Sequence, residues 1–425
     1  LNNSRQDVDT DTGFNNLINS LRLCLEDYLL PYTLSAFDEF EERYEEFERE
    51  RRDLENQIEQ LEEFDHDDSE VATLRNKLAE LEDEYEVYQR FHSDYETWVQ
   101  LSNRQDNDDA ENKEVFCRES VYVQLNKILL IRIAEDKDLV NAMVSNGGVH
   151  RYFNFWDDFS RYVSRDYIDL FETASEELSE VYDYLYSRRL FDWGIQSDFN
   201  SNLDDVLQRT LWHLNHYNFE GVDRDLLGTL YEQHLPKEER QTLGEFYTPE
   251  PVVDYIMDGV DYDVGVSSQR IIDPACGSGT FLVEAIERYL EDVRRYNDDP
   301  DWTEELTSLC THPHVVGVDI HPFAVLMAQI RFMVAILPEY REAKQQDHEF
   351  TIRRLPIFRA DTLRDERELT GADLGDAEAR QLTWDAMTED NQDVRVPVPL
   401  PIEVDDDADT PGVETEDGLV LGRAG

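Results

Sequence analysis

Basic residues are scarce in this chain. Lysine and arginine number 39 against 97 aspartates and glutamates, a formal charge of −58 over 425 residues, and the only lysines are Lys77, Lys113, Lys127, Lys137, Lys237 and Lys344. No basic stripe of the kind that tracks a phosphate backbone is visible, so charge supplies no argument for nucleic-acid binding at ordinary ionic strength. Cysteine is also rare. Cys24, Cys117, Cys276 and Cys310 stand far apart with no CxxC pair, so neither a disulfide framework nor a zinc site is indicated. No apolar run approaches the roughly 20 residues that span a bilayer. No signal-like segment follows Leu1, which points to the cytoplasm, and the missing initial Met points to an incomplete or processed reading frame.

What is present is enough for a folded protein. The chain is long enough for two or three domains, and 40% hydrophobic with 11% aromatic content argues against disorder for most of it. A nucleic-acid mimic or a metal buffer would also be acidic, yet no aspartate-rich calcium loop occurs. The cytosolic protein of a halophile fits best. A dense acidic surface stays hydrated in concentrated salt, where a Debye length of about 3 Å at 1 M screens its self-repulsion.

Phe40, Tyr44, Phe47, Arg51, Leu54, Ile58 and Leu61 recur at alternating steps of four and three. Val71, Leu74, Leu78, Leu81, Tyr85 and Tyr88 repeat the pattern after a polar break at 64–69. That spacing predicts two helices with one apolar seam each, a coiled-coil hairpin over about 35–100 that serves as a scaffold arm or as an arm contacting a subunit or DNA. Val121 to Ile131 is apolar almost all round and predicts a buried helix. Leu170 to Leu190, Leu203 to Tyr217 and Asp225 to Leu235 also read as helical.

From Thr248 strand and helix alternate, the mark of a parallel doubly wound sheet. Helices are predicted at Glu250 to Gly259, Thr280 to Tyr296 and Pro322 to Leu337. Strands are predicted at Arg270 to Asp273, Val315 to Asp319 and Pro356 to Ala360, with Asn297 to His314 a surface insertion. The division is then 1–118 helical with the hairpin, 119–240 helical, 241–365 an α/β domain, and 366–425 an acidic irregular tail. Within that tail Val394 to Val404 reads as an edge strand and Asp405 to Gly425 as mobile.

One stretch carries more than periodicity. Asp273-Pro274-Ala275-Cys276-Gly277-Ser278-Gly279-Thr280-Phe281 stands between a predicted strand and a predicted helix. Gly277 and Gly279 let the backbone approach a ligand closely, and the N–H groups at the helix start suit a polar or anionic group. The acidic residue before the turn suits a ligand that carries positive charge as well. Upstream lies Gly244-Glu245-Phe246-Tyr247-Thr248-Pro249, and downstream Val315-Val316-Gly317-Val318-Asp319-Ile320-His321-Pro322 and Ala360-Asp361-Thr362-Leu363.

These four motifs, in this order, resemble the N6-adenine DNA methyltransferases of restriction–modification and phage-defence systems. The Ser278-Gly279-Thr280-Phe281 version of the loop looks closer to single-chain type IIG and phage-exclusion enzymes than to type I modification subunits. The resemblance implies an α/β Rossmann-like class I methyltransferase domain, represented by its first three strands, that takes S-adenosylmethionine as cofactor and DNA as partner. Carried over by position, Asp273 and the Ala275, Cys276, Gly277, Ser278 and Gly279 backbone face the methionine part, and Thr280 and Phe281 belong to the same cofactor-binding loop. Asp319 takes the ribose hydroxyls, Ile320 packs on the adenine, Asp361 meets its exocyclic amine, and Tyr247, Thr248 and Pro249 close the methionine end.

The family holds the target amine with an Asn/Asp-Pro-Pro-aromatic motif, and that motif occurs nowhere in these 425 residues. The resemblance therefore implies an N-terminal, cofactor-binding portion that is inactive alone, with other defence-system subunits as further partners. Related motifs also serve RNA and protein-glutamine methyltransferases, and an inactive helical interaction protein with a degenerate methyltransferase fold would lack the amine-binding motif too. No metal site is indicated, since His213/His216 and His312/His314 lack further ligands.

The acidic balance yields a measurable expectation. The melting temperature should rise between low and multi-molar KCl, because self-repulsion at a charge of −58 dominates when unscreened. A midpoint that stays flat or falls in a KCl series would give the acidity another purpose.

Overall fold

The computed structural model describes residues 5–63, 68–102, 104–159, 166–179, 191, 193, 202–222, 248–263, 265–311, 314–352 and 355–360, with 414–415 and 418–419. Tyr247, Asp361, the helix expected at Asp225 to Leu235 and the strand expected at Val394 to Val404 lie outside the described residues.

The N-terminal region is helical. A short strand β1 (Gln6–Asp7) leads into α1 (Asp11–Leu23), capped by Thr10, whose hydroxyl accepts the Gly13 N–H. A π-helical turn (Cys24–Leu29) then passes the chain into α2 (Leu30–Glu63), which α3 (Asp68–Glu84) and α4 (Glu86–Leu101) follow. Ring contacts fix their direction: Phe37 meets Tyr95, Phe40 meets Phe91, Tyr44 stacks on His92 and Phe47 on Tyr85. Rising numbers on α2 meet falling numbers on α3 and α4, so the arm is an antiparallel hairpin.

The return limb breaks once. Tyr85, at φ −106° and ψ 13°, separates α3 from α4. At the tip side of the seam Phe47, Leu81 and Tyr85 make a separate small cluster, whereas Phe37, Phe40, Phe91 and Trp98 join the main core.

α5 (Asp109–Asp136) is the central helix, buried along almost its whole length from Val115 to Glu135. The boundary expected at 118/119 falls inside it, so both helical regions share one element. Its interior charges are tied together. Arg132 reaches Glu135 at 3.1 Å and Asp136 at 2.9 Å, while Glu135 accepts the N–H groups of Met143, Val144 and Ser145. Buried charges are tolerable only when paired and bonded in this way. Further helices are α6 (Asn146–Phe159), α7 (Tyr167–Ser179) and α8 (Leu203–Leu214).

The expected continuation of α8 to Tyr217 does not occur. Asn215 ends the helix and donates its side-chain amide to the Val144 carbonyl. Tyr217 instead opens β2 (Tyr217–Asn218), which pairs in parallel with β1.

The C-terminal half carries a small parallel sheet. α9 (Glu250–Gly259), β3 (Ile271–Asp273), α10 (Thr280–Tyr296), α11 (Trp302–Thr311), β4 (Val315–Asp319), α12 (Pro322–Gln346) and β5 (Ile357–Arg359) follow in order. The strands lie in chain order β3-β4-β5, all parallel, with Ile271 opposite Val315 and Gly317 opposite Ile357. A two-residue antiparallel pair, β6 (Glu414–Thr415) with β7 (Gly418–Leu419), stands apart in the tail. Among the described residues helix far outweighs strand.

Two expectations need correction here. Asn297 to His314 is no surface insertion, because α11 buries Trp302, Leu306 and Leu309 completely or nearly so. The i, i+4, i+7 spacing of these three is an amphipathic signal in a segment whose polar flanks read as loop. α12 also does not stop at Leu337. It continues through Pro338 to Gln346, since Glu339, Tyr340 and Ala343 on the next turns are buried in the core. α12 is long and apolar enough to cross a membrane by length and composition, and 83% of that apolar window is buried inside the fold. It packs against α5, with the Tyr122 and Phe323 rings 6.5 Å apart.

Leu306→Ala should destabilise the protein by about 2–5 kcal/mol, the cost of a cavity in a close-packed core. Urea unfolding measures this, and a loss below about 1 kcal/mol would return α11 to the surface.

Candidate functional site

The glycine turn joins β3 to α10, and its path depends on both glycines. Gly277 (φ +52°) and Gly279 (φ +90°) adopt left-handed backbone that side chains disfavour. A Cβ on Gly277 would meet nothing within 4 Å, so its face is open, whereas one on Gly279 would press on Ala328 at 3.0–3.2 Å. Gly279 therefore serves close packing on α12, and Gly277 leaves space in front of the turn. Gly317 contributes from β4: a Cβ there would lie 2.4 Å from Leu282 of α10, so the strand needs glycine for the helix to dock.

The carboxyl ends of β3 and β4 meet this turn. Asp319 accepts the Gly277 N–H at 2.8 Å through one oxygen and the His321 N–H at 2.8 Å through the other. Asp273 accepts the Ala275 N–H at 3.1 Å, and the Cys276 N–H goes to the Val318 carbonyl at 2.9 Å. Both carboxylates are half-buried. Desolvation pushes Asp273 above its usual range, with the Asp319 charge adding to the effect and the Ala275 N–H opposing it. Asp319 is pushed up by burial too, against the opposing N–H groups of His321, Gly277 and Ile320. Spare lone pairs on these oxygens can accept from hydroxyl or ammonium groups in front of the turn.

Ile320 is 44% exposed beside Asp319, an apolar surface at the strand end available to a flat ring. Ser278 and Cys276 are buried, and Phe281 packs against the core. Thr248 and Pro249 stand at the start of α9, where the Pro249 carbonyl accepts from Val252 and Val253. The far end of α9 is tied to α10 by Arg288, which reaches Asp258 at 2.7 Å and the Tyr262 carbonyl at 2.8 Å. The described contacts do not bring Thr248 or Pro249 to the glycine turn. Asp273, Ala275 to Phe281, Asp319 and Ile320 are brought together.

Three supports lie under the site, and two of them, Arg331 and Gln329, stand outside the motifs. Arg331, buried in α12, donates to the Ser278 carbonyl (2.8 Å), the Ser278 hydroxyl (2.9 Å) and the Thr280 hydroxyl (3.3 Å). Its signal was a lone arginine inside the apolar run Phe323 to Leu337. Gln329 donates to the Ile357 carbonyl at 3.0 Å and so holds β5. His321, the cap of α12, is buried 3.8 Å from Glu119 of α5, and Glu119 in turn accepts the Trp98 indole N–H at 2.7 Å. Burial, with Arg104 and Arg359 adding repulsion, pulls the His321 imidazole down to about 3, so its contact with Glu119 is dipolar rather than an ion pair.

With this geometry in view, the comparisons have a place. Residues 222–352 match the family model described as N-6 DNA Methylase, so the chain carries a domain of the N6-adenine DNA methyltransferase family. Relatives include the adenine-specific methyltransferase PglX of Streptomyces coelicolor, 34% identical over 28% of this chain and 10% of that protein. The type II restriction enzyme and methyltransferase RM.Eco57I of Escherichia coli is 24% identical over 40% of this chain and 18% of its own length. The type I restriction enzyme EcoEI methylase subunit of Escherichia coli is 33% identical over 22% of this chain and 19% of its own length. The chain thus matches less than a fifth of each of these three relatives. The solved structure of the type IIL restriction-modification enzyme MmeI in complex with DNA gives a TM-score of 0.34 at 14% identity, covering 67% of this chain and 41% of that one, too low a likeness to carry an argument.

The glycines should differ in sensitivity. Gly277→Ala should cost about 1–2 kcal/mol from the left-handed backbone alone. Gly279→Ala should cost about 1–3 kcal/mol more, through the added crowding against Ala328. Urea midpoints of the two variants check the order, and equal losses would refute the packing role.

Proposed function

We propose that this chain binds S-adenosylmethionine at the β3 and β4 ends and is the cofactor-binding part of an adenine-N6 DNA methyltransferase of restriction–modification or phage-defence type. The three parallel strands are then the first three of a Rossmann-like class I methyltransferase sheet. The observation that carries the reading is the joining of two strand-end carboxylates to one glycine turn, Asp319 through the Gly277 N–H and Asp273 through the Ala275 N–H. The match of residues 222–352 to the family supports it from the sequence side.

The residues present fit the group. An open face at Gly277 admits a ligand against the backbone, and two half-buried acids suit an ammonium and a pair of ribose hydroxyls. The exposed Ile320 suits the adenine ring. When bound, the cofactor supplies an electrophilic methyl on a sulfonium. The chain's own residues bind and orient: Asp273 and the turn at the amino-acid end, Asp319 at the ribose, Ile320 at the base, with Asp361, Tyr247, Thr248, Pro249, Thr280 and Phe281 completing the set. DNA is the proposed acceptor on the strength of the family, since the charge of −58 offers no attraction. A halophilic cytoplasm, where that repulsion is screened, and further defence-system subunits complete the reading.

Calorimetry in multi-molar KCl should show S-adenosylmethionine binding, and Asp319→Ala should weaken it about tenfold or more, the size of a lost hydrogen bond to a charged group. Equal affinity in the variant would remove Asp319 from the ligand.

A further inference from the structure

His321 is buried at a cost that core packing does not explain. It is 5% exposed, and neither ring nitrogen has a hydrogen-bond partner among the described residues. The Glu119 carboxylate lies 3.8 Å from Nε2, too far for a hydrogen bond. Burial keeps the imidazole uncharged near neutral pH, so no ion pair offsets the lost hydration. An apolar ring in this place would leave nothing unsatisfied. Departures of this kind from a well-packed core concentrate at functional sites.

The neighbours of His321 identify the site concerned. Its backbone N–H donates to Asp319 at 2.8 Å, and the exposed Ile320 lies between the two. On its other side α5 presents Glu119 and Tyr122, three residues apart and so on one face of the helix. Glu119 faces the His321 ring, and Tyr122 meets the Phe323 ring at 6.5 Å. The Glu119 carboxylate is oriented in turn by the Trp98 indole of α4 at 2.7 Å, with Arg104 over the Trp98 ring. Asp319 and His321 stand inside the family-matched segment 222–352, whereas Glu119 and Trp98 stand outside it.

We infer that Glu119 is a positioning residue for the ribose end of the ligand: oriented by Trp98, it fixes where the His321 ring lies and so the aim of the Asp319 carboxylate. The inference rests on the cofactor reading and deepens it, because it makes the helical region part of the cofactor site. The hold is steric and dipolar rather than a hydrogen bond. Gly277 bonds the other Asp319 oxygen, so the glycine turn has a hold of its own. What depends on Glu119 is the direction of the oxygen bonded to His321, and a misplacement of about 1 Å is enough to lose an oriented contact. The amino-acid end of the ligand, at the turn, lies beyond this effect.

The test compares two ligands on the 425-residue chain at high KCl: S-adenosylhomocysteine, and its analogue lacking both ribose hydroxyls. Wild type should prefer S-adenosylhomocysteine about fivefold or more, the size of a lost hydrogen bond. Glu119→Leu should bring that preference to within about twofold while leaving the affinity for the analogue nearly unchanged. Glu119→Gln, which keeps the shape and an acceptor for Trp98, should retain most of the preference. Equal weakening of both ligands in the Leu variant would make Glu119 a general support of the fold and overturn the proposal, as would no weakening of either. An equal loss of preference in the Gln variant would assign the effect to the charge alone and overturn it too. Should the Leu variant not fold, Trp98→Phe decides, since it removes the donor that orients Glu119: a reduced preference upholds the proposal and an unchanged one overturns it. A wild-type chain that binds neither ligand, or both equally, overturns the cofactor reading at Asp319 itself, and this inference with it.

Discussion

The site depends on Asp319 more than on any other side chain. Its two oxygens take the N–H groups of Gly277 and His321, so one carboxylate joins the glycine turn, the end of β4 and the start of α12. Half-burial raises its proton affinity, and the backbone donors oppose that rise. An acid held in this way is oriented before any ligand arrives. The same hydrogen bonds leave each oxygen a further lone pair, which is how one residue can both build the turn and face a ligand.

Around this junction the packing is arranged for close approach. Gly317 admits Leu282, and Gly279 admits Ala328, so α10 sits against β4 on one side and α12 on the other. α12 in turn lies on α5, the helix buried on all sides. The Trp98 indole of the helical arm bonds to Glu119 of α5, and His321 at the cap of α12 lies 3.8 Å from that carboxylate, so the base of the arm and the strand end meet on the same helix. Within α5 the buried Arg132 is paired with Glu135 and Asp136, so this part of the interior carries its charges as bonded partners.

Much of this was legible beforehand, and for identifiable reasons. The hairpin followed from steps of four and three, and α9, α10 and β4 matched the predicted spans because glycine, proline and strand-end acids punctuate them. α11 was missed because its three buried residues stand in a polar segment, and the end of α12 because proline reads as a stop even where buried contacts beyond it hold the helix. Tyr217 changed from helix to strand because its partner, Gln6, lies 211 residues earlier, beyond any local pattern.

The order of motifs, the glycine positions and the acids at the strand ends are properties of the sequence by itself, since they depend on local backbone chemistry and on periods of two and 3.6 residues. Tertiary structure alone decided which groups meet. Arg331 lies 53 residues from Ser278, and Asp319 lies 42 from Gly277. Hydrogen bonds over such separations are set by how helices pack on a sheet, and no local pattern encodes the arginine that holds the turn from beneath.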